Sequence, residues 1–333
     1  MKLWLKALLS LALMAVLLWQ VDLRQISSTF AATRFELSLA AFTLFLLQQV
    51  IVAYAWHMLL PVDNNRVPFI KTVEVHALGS FFGTFLPSSV GMDVIRAYRL
   101  GRYLERGVDS ASAMFVTRVV GFLVNFVLAL AVAIPVSFQL HNAAIFGTVL
   151  ALTLMFVAGV VFILHPRALA LMKNILLRFG LAGVAEKIRG FREGITSVSR
   201  SRGRMLQLIA VSFIYQSLGI VIVFMLGRAL GIELSLWRYF IYIPLITTIT
   251  VLPISLAGLG IREGAFVFFF AQAGVAQAQA LSLSLLLFAQ TLALALLGGV
   301  WYFLARESKA VAQTSRKSLA ASLRSQINRE ERV

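Results

Sequence analysis

Six apolar runs, at residues 3–21, 35–60, 109–138, 143–164, 205–227 and 278–305, alternate along the chain with polar stretches. An α-helix rises 1.5 Å per residue, so about twenty residues cross a hydrocarbon core of roughly 30 Å. Lipid offers the backbone no hydrogen-bond partner, so runs of this length are expected as spanning helices. Barrel strands would instead show short alternating segments. Two further apolar stretches are flawed. Residues 72–90 carry Glu74, His76, Gly79 and Gly83 before Pro87. Residues 239–274 are broken at Pro253 and end in a short apolar piece at 265–274.

The two interruptions match when their prolines are aligned. Leu86, Pro87, Ser89, Ile95 and Arg96 correspond to Leu252, Pro253, Ser255, Ile261 and Arg262. Proline frees a backbone carbonyl inside a helix and cannot donate. Pro87 with Gly91, and Pro253 with Gly258, are therefore read as helix breaks. A helix restarting after each break offers N–H groups to an anion, with Ser89 and Ser255 beside it.

Charge decides how these segments are threaded. The basic residues cluster at 91–106, 165–204 and 306–333, with Lys2 and Lys6 at the start. Such clusters mark the cytoplasmic side. All can lie there only if residues 72–90 dip in and return, and residues 239–274 do the same from outside. The expected fold is an all-α polytopic membrane protein of about six spans plus two oppositely directed re-entrant segments, a 4+4 inverted repeat. Repeat one covers residues 1–138 and repeat two 143–305, within one transmembrane domain, 1–305, followed by a basic cytoplasmic tail, 306–333. An inverted repeat with corresponding interruptions points to a transport site at the midplane. Residues 1–20 resemble a signal peptide but lack a cleavage motif, so an uncleaved first helix is expected. In the linker at 165–204, Val184, Ile188, Phe191, Ile195 and Val198 recur at helical spacing. Such a helix lies either on the membrane surface or on the protein's own cytoplasmic face.

Composition agrees: the 333 residues are 60% hydrophobic and only 13% charged, against roughly 25% charged in soluble chains. The net charge of +16 is accounted for by topology and anionic headgroups rather than nucleic acid. There is no cysteine, which excludes disulfides, thiolate metal sites and cysteine catalysis. The four histidines are scattered, and no H-E-x-x-H, phosphate-binding G-x-x-x-x-G-K-[ST] or dinucleotide fingerprint occurs. No metal, cofactor or enzymatic reaction is expected.

Ionised groups at membrane depth cost several kcal/mol unless paired or wet. The candidates are Glu74, Asp93, Arg96, Arg118, Arg262 and Glu263, with His76 as a titratable neighbour. Arg118 lies roughly 13 Å into its helix, counted from Asp109 at 1.5 Å per residue, too deep to reach the surface easily. It is read as a phosphate-binding cation or as one half of an ion pair. Asp93 is read as a helix cap or as part of the site. Gly79 and Gly83 permit close helix packing. Gln48, Gln49, Asn125, Tyr215, Gln216, Gln272 and Gln290 are candidates for a polar path or for interhelical hydrogen bonds.

Residues 77–87, Gly91-x-Asp93-x-x-Arg96, Arg118-Val119-Val120-Gly121, and Gly258-Leu259-Gly260-Ile261-Arg262-Glu263 with Pro253 carry a family likeness. The chain resembles the membrane domain of the lysylphosphatidylglycerol synthase/flippase family over residues 3–305, with Ser88 and Ser89 where glycines are common. The resemblance implies lipid translocation without the soluble aminoacyltransferase; the expected location is a bacterial cytoplasmic (inner) membrane, with both termini inside as the basic clusters indicate. It places Asp93, Arg96, Arg118, Arg262 and Glu263 on motif positions. The expected cargo is an anionic phospholipid or a polyprenyl-phosphate-linked lipid, with Arg118, Arg96 and Arg262 on the phosphate and Glu74, Asp93 and Glu263 balancing charge. Membrane lipids are the expected partners, with homo-oligomerisation left open. The alternatives are a secondary transporter of a small organic anion, a membrane-embedded transferase, and a non-catalytic assembly factor.

Overall fold

The computed structural model describes residues 23–60, 67–85, 89–104, 107–139, 143–165, 182–250 and 258–302. Every regular element among them is a helix. In order these are α1 (Leu23–Ala31), α2 (Phe35–His57), α3 (Phe69–Phe85), α4 (Ser89–Leu104), α5 (Gly107–Gln139), α6 (Ala143–Leu164), α7 (Ala182–Ser199), α8 (Arg202–Ala229), α9 (Leu236–Thr250), α10 (Ile261–Ala271) and α11 (Gln277–Tyr302).

Among the described residues five helices are long and apolar enough to cross a membrane: α2, α5, α6, α8 and α11. They correspond to five of the six runs expected to span. The first run, the tail, and Pro87, Ser88, Pro253 and Ser255 lie outside the described residues, as does the side chain of Ser89. The outer surfaces are apolar, as lipid requires: Phe35, Phe138, Phe162 and Leu206 are all largely exposed. α5 is 33 residues, about 50 Å at helical rise, so it extends beyond a hydrocarbon core of about 30 Å.

Two arms flank each interruption. The 17 residues of α3 and 16 of α4 pack against each other, as do the 15 of α9 and 11 of α10. At 1.5 Å per residue none exceeds about 26 Å, short of a core of roughly 30 Å. Glycine makes the first contact close. A Cβ on Gly83 would stand 2.5 Å from Met92 Cβ, and one on Gly79 would collide with the Arg96 side chain. The expected small-residue packing is thus present, and the partner is α4.

The core has two centres. The first joins α2, α5, α8, α9, α10 and α11 around Leu226, Leu245 and a run of rings. Tyr239 meets Phe224 and Phe270, each with centroids 5.3 Å apart, and Phe270 stacks on Phe266 at 5.6 Å. The second joins α2, α3, α4, α5, α7 and α8 around the buried Trp56, Leu100 and Leu208. α2 and α8 run antiparallel, with the Arg34 N–H donating to the Ala229 carbonyl (2.9 Å) and Gln48 Nε2 to the Tyr215 carbonyl (2.9 Å). α9 contains Pro244 and α5 contains Pro135 without ending either helix.

Several expectations change. Gly91 is not a break: α4 begins at Ser89 and Gly91 lies inside it. Asp93 therefore sits in the second turn and is not a cap. Residues 22–34, between the first two apolar runs, contain α1, whose Ile26 packs on Ala278 and Leu281. α9 begins at Leu236, three residues before the apolar stretch 239–274. Gly231, at φ 74°, ends α8 in the left-handed conformation that glycine adopts without strain. The linker helix α7 packs along α5, with Phe191 edge-on to Phe115 (5.4 Å) and Ile195 and Val198 buried. This face of the helix is thus turned to the protein rather than to lipid. Val184 and Ile188 have side chains outside the description.

Candidate functional site

Charge at membrane depth has to be paired or faced to a cavity, and the structure separates the candidates accordingly. Arg118 on α5 pairs with Asp93 on α4. Arg96, one turn after Asp93, approaches the same carboxylate at 3.5 Å. Arg96 is only 6% exposed and lies across Gly79. Its Nε donates to the His76 carbonyl (3.2 Å) and its Nη2 to Ser80 Oγ (2.8 Å). His76 is held in turn by Gln49, at 3.1 Å. The notch at Gly79 thus lets α3 present backbone and hydroxyl oxygens to a guanidinium.

These groups line a cavity of about 270 Å³ between α2, α4, α5, α8 and α9. Asp93, Arg96, Arg118 and Tyr215 reach into it, with Thr117 and Gln216 beside them. Two guanidinium groups share one carboxylate, so the described wall carries one uncompensated positive charge. The Arg118 guanidinium also lies 5.3 Å from the Phe122 ring centroid. That contact stabilises a cation without neutralising it. Arg118 retains 35% side-chain exposure, so its charge is available to the cavity.

A second cavity of about 180 Å³ shares Asn125, Tyr215, Gln216 and Thr247 with the first and adds Gln48 and apolar side chains. Most amides expected along a polar path also lock helices together. Asn125 Nδ2 donates to Thr248 Oγ1 (3.0 Å), Gln216 Nε2 to the Gly121 carbonyl (3.0 Å) and Gln290 Nε2 to the Ser38 carbonyl (3.3 Å).

Arg262 and Glu263 do not join this site. Glu263 is fully buried and accepts from the Gly260 N–H (2.6 Å), Ser284 Oγ (3.2 Å) and Arg262 Nε (3.0 Å). Arg262 also donates to Ser284 Oγ (3.1 Å) and lies 5.3 Å from the Phe288 centroid. The clasp is internally neutral. Its carboxylate takes the amide at the start of α10 that an anion was expected to take. The left-handed Gly258 and Gly260, at φ 81° and 83°, shape the backbone into α10. Glu74 is likewise diverted, pairing with Lys71 at 2.6 Å. Of the expected acids only Asp93 balances charge in the cavity. Thr117, Ser212 and Thr247 line it without having been singled out. Ser212 shares a helical face with Tyr215, Gln216 and Gly219, a spacing that would have revealed it.

Eleven helices among the described residues, five of them able to span, and a buried charge cluster around an internal cavity define a multi-pass helical membrane protein. The family model for the lysylphosphatidylglycerol synthase transmembrane region matches residues 3–299. The chain belongs to that family, whose function is related to membrane lipids. Comparisons with curated proteins and with solved structures gave no match.

Proposed function

We propose that the chain is a flippase-like transporter that moves an anionic lipid across a bacterial cytoplasmic membrane, holding the headgroup phosphate between Arg118 and Arg96. The observation that carries this reading is the charge count of the α4–α5–α8 cavity: two guanidinium groups, one carboxylate and a tyrosine on its wall. A phosphate supplies the missing negative charge, and guanidinium forks match its oxygens. The acyl chains remain in lipid. Reconstituted in proteoliposomes, Arg118→Ala is expected to abolish translocation of labelled anionic lipid at unchanged expression. Undiminished translocation refutes the reading. Uptake of a water-soluble organic anion in place of lipid favours the secondary-transporter alternative.

The transport path is read as an inverted repeat whose two broken segments enter from opposite sides. Reciprocal contacts support this. In the proposed repeat, α2, the α3/α4 pair and α5 correspond to α8, the α9/α10 pair and α11. α5 packs on α9, and α11 packs on α3, where a Cβ on Gly299 would stand 2.6 Å from the Phe81 ring. Gln216 of α8 clasps α5, and Gln290 of α11 clasps α2. The 166-residue shift from Pro87 to Pro253 also carries Phe122 to Phe288, each beneath an arginine. It carries Arg118 to Ser284, so the repeats differ where the uncompensated charge lies. Single cysteines at Gly91 and Gly258 are expected to label from opposite sides of the membrane. Labelling from one side only excludes oppositely directed segments.

A further inference from the structure

The same helix that presents Arg96 to the cavity has a second face. At 100° per residue, Val94, Tyr98, Arg102, Arg99 and Tyr103 occupy one half of α4, and Arg96, Ala97, Leu100 and Gly101 the other. The second half is buried. On the first, Val94 and Tyr98 are each 59% exposed and Tyr103 48%; Arg99 and Arg102 are exposed as well.

Among the described residues the charge on this arc is not cancelled. Among the described residues no salt bridge takes up Arg99 or Arg102. Arg99 donates to the Tyr302 hydroxyl (3.1 Å) and lies 5.3 Å from that ring, which orients the guanidinium while leaving its charge. The neighbouring Lys71 is neutralised by Glu74 and adds nothing. The arc is also graded along its length. Val94 lies toward the interruption, Tyr98 follows, and the two arginines and Tyr103 lie toward the end of α4. Apolar, then aromatic, then basic is the order in which a bilayer passes from acyl chain to headgroup.

We propose that this outward arc of α4 is a docking surface for anionic phospholipid headgroups of the leaflet in which α4 ends. Arg99 and Arg102 bind the phosphates while Tyr98 and Val94 contact the upper acyl chains. The surface adjoins the cavity through one helix, so it concentrates anionic lipid beside the Arg96 wall. It requires anionic lipid at α4 whether or not the cavity translocates it.

The test uses the full chain in nanodiscs with a fluorophore on Val94→Cys, which is unique because the native chain has no cysteine. Brominated anionic or brominated zwitterionic phospholipid is then titrated at constant total lipid. A basic residue near a charged surface contributes about fivefold in association. The anionic lipid is therefore expected to quench with a preference of roughly twenty- to thirtyfold, falling to near parity in Arg99→Gln/Arg102→Gln and greatly reduced in 1 M salt. A label on Leu154→Cys of α6, on an apolar outer face, should show no preference and serves as the folding control in every variant. Equal quenching by the two lipids overturns the proposal, as does a preference that survives the double substitution. So does displacement by inorganic phosphate at fixed ionic strength, which would indicate a small-anion site. Arg118→Ala should keep the quenching preference while losing translocation, so the two readings fail separately.

Discussion

Gly79→Ala tests how the cavity holds its second arginine. The substitution adds one methyl in the middle of α3, where alanine is favoured over glycine by about 1 kcal/mol. At Gly79 that gain is opposed. The new Cβ would stand 2.6 Å from Arg96 Nε and 2.9 Å from Arg96 Cδ, and nearer still to Cγ. Arg96 has little room to yield. It is 6% exposed and its donors reach the His76 carbonyl at 3.2 Å and Ser80 Oγ at 2.8 Å. Overpacking costs about 1–3 kcal/mol, and each hydrogen bond from a charged group is worth about 1.5–3 kcal/mol. Losing one such bond outweighs the helical gain, for a net destabilisation of about 2–4 kcal/mol. Gly147→Ala in α6 is the control. Nothing lies within 4 Å of its Cβ position, so it should be neutral or stabilising by up to about 1 kcal/mol. Thermal unfolding in detergent, with and without a short-chain anionic phospholipid, reads both stability and ligand-induced stabilisation. Gly79→Ala should unfold earlier and lose much of the ligand-induced shift. If it matches Gly147→Ala in stability and keeps the full shift, the Gly79 notch does not position Arg96.

Glu263→Gln should cost about 3–5 kcal/mol, because it leaves the Arg262 guanidinium without its buried carboxylate. Adding Arg262→Gln should recover part of that loss, and a double-mutant cycle by thermal unfolding measures the coupling. Anionic-lipid binding at the Arg118 cavity should not change in either variant; a change in affinity would show that the clasp and the cavity are one site.

Much of the architecture is already present in one dimension. Apolar length sets which segments can span, and five of the runs expected to do so are spanning-length helices among the described residues. The glycines at 79 and 83 were legible as a close packing surface, since four residues is one helical turn. The depth of Arg118 left two readings, a phosphate-binding cation or half of an ion pair, and in the fold it pairs with Asp93 on the wall of a cavity. The boundaries were less legible. α1 does carry a helical period, Leu23, Ile26 and Phe30, but over nine residues it is too short to stand out, and the burial of Ile26 is fixed by contact with α11. Gly91 was misread because one glycine does not stop a helix that its neighbours continue.

The sequence by itself determined the class of protein, its segment lengths and which residues carry charge into the membrane. Only the tertiary structure decided how those charges are shared. In the sequence Arg96, Arg118 and Arg262 are equivalent cations, and Glu74, Asp93 and Glu263 equivalent acids. In the fold Glu263 is consumed by its neighbour Arg262, Ser284 and a backbone amide, and Glu74 by Lys71. Asp93 alone remains for two arginines, one of them 25 residues away on another helix. The physical reason is range. Hydropathy and helical period act over a few turns of one segment, whereas the balance of charge in a cavity depends on which helices are brought together.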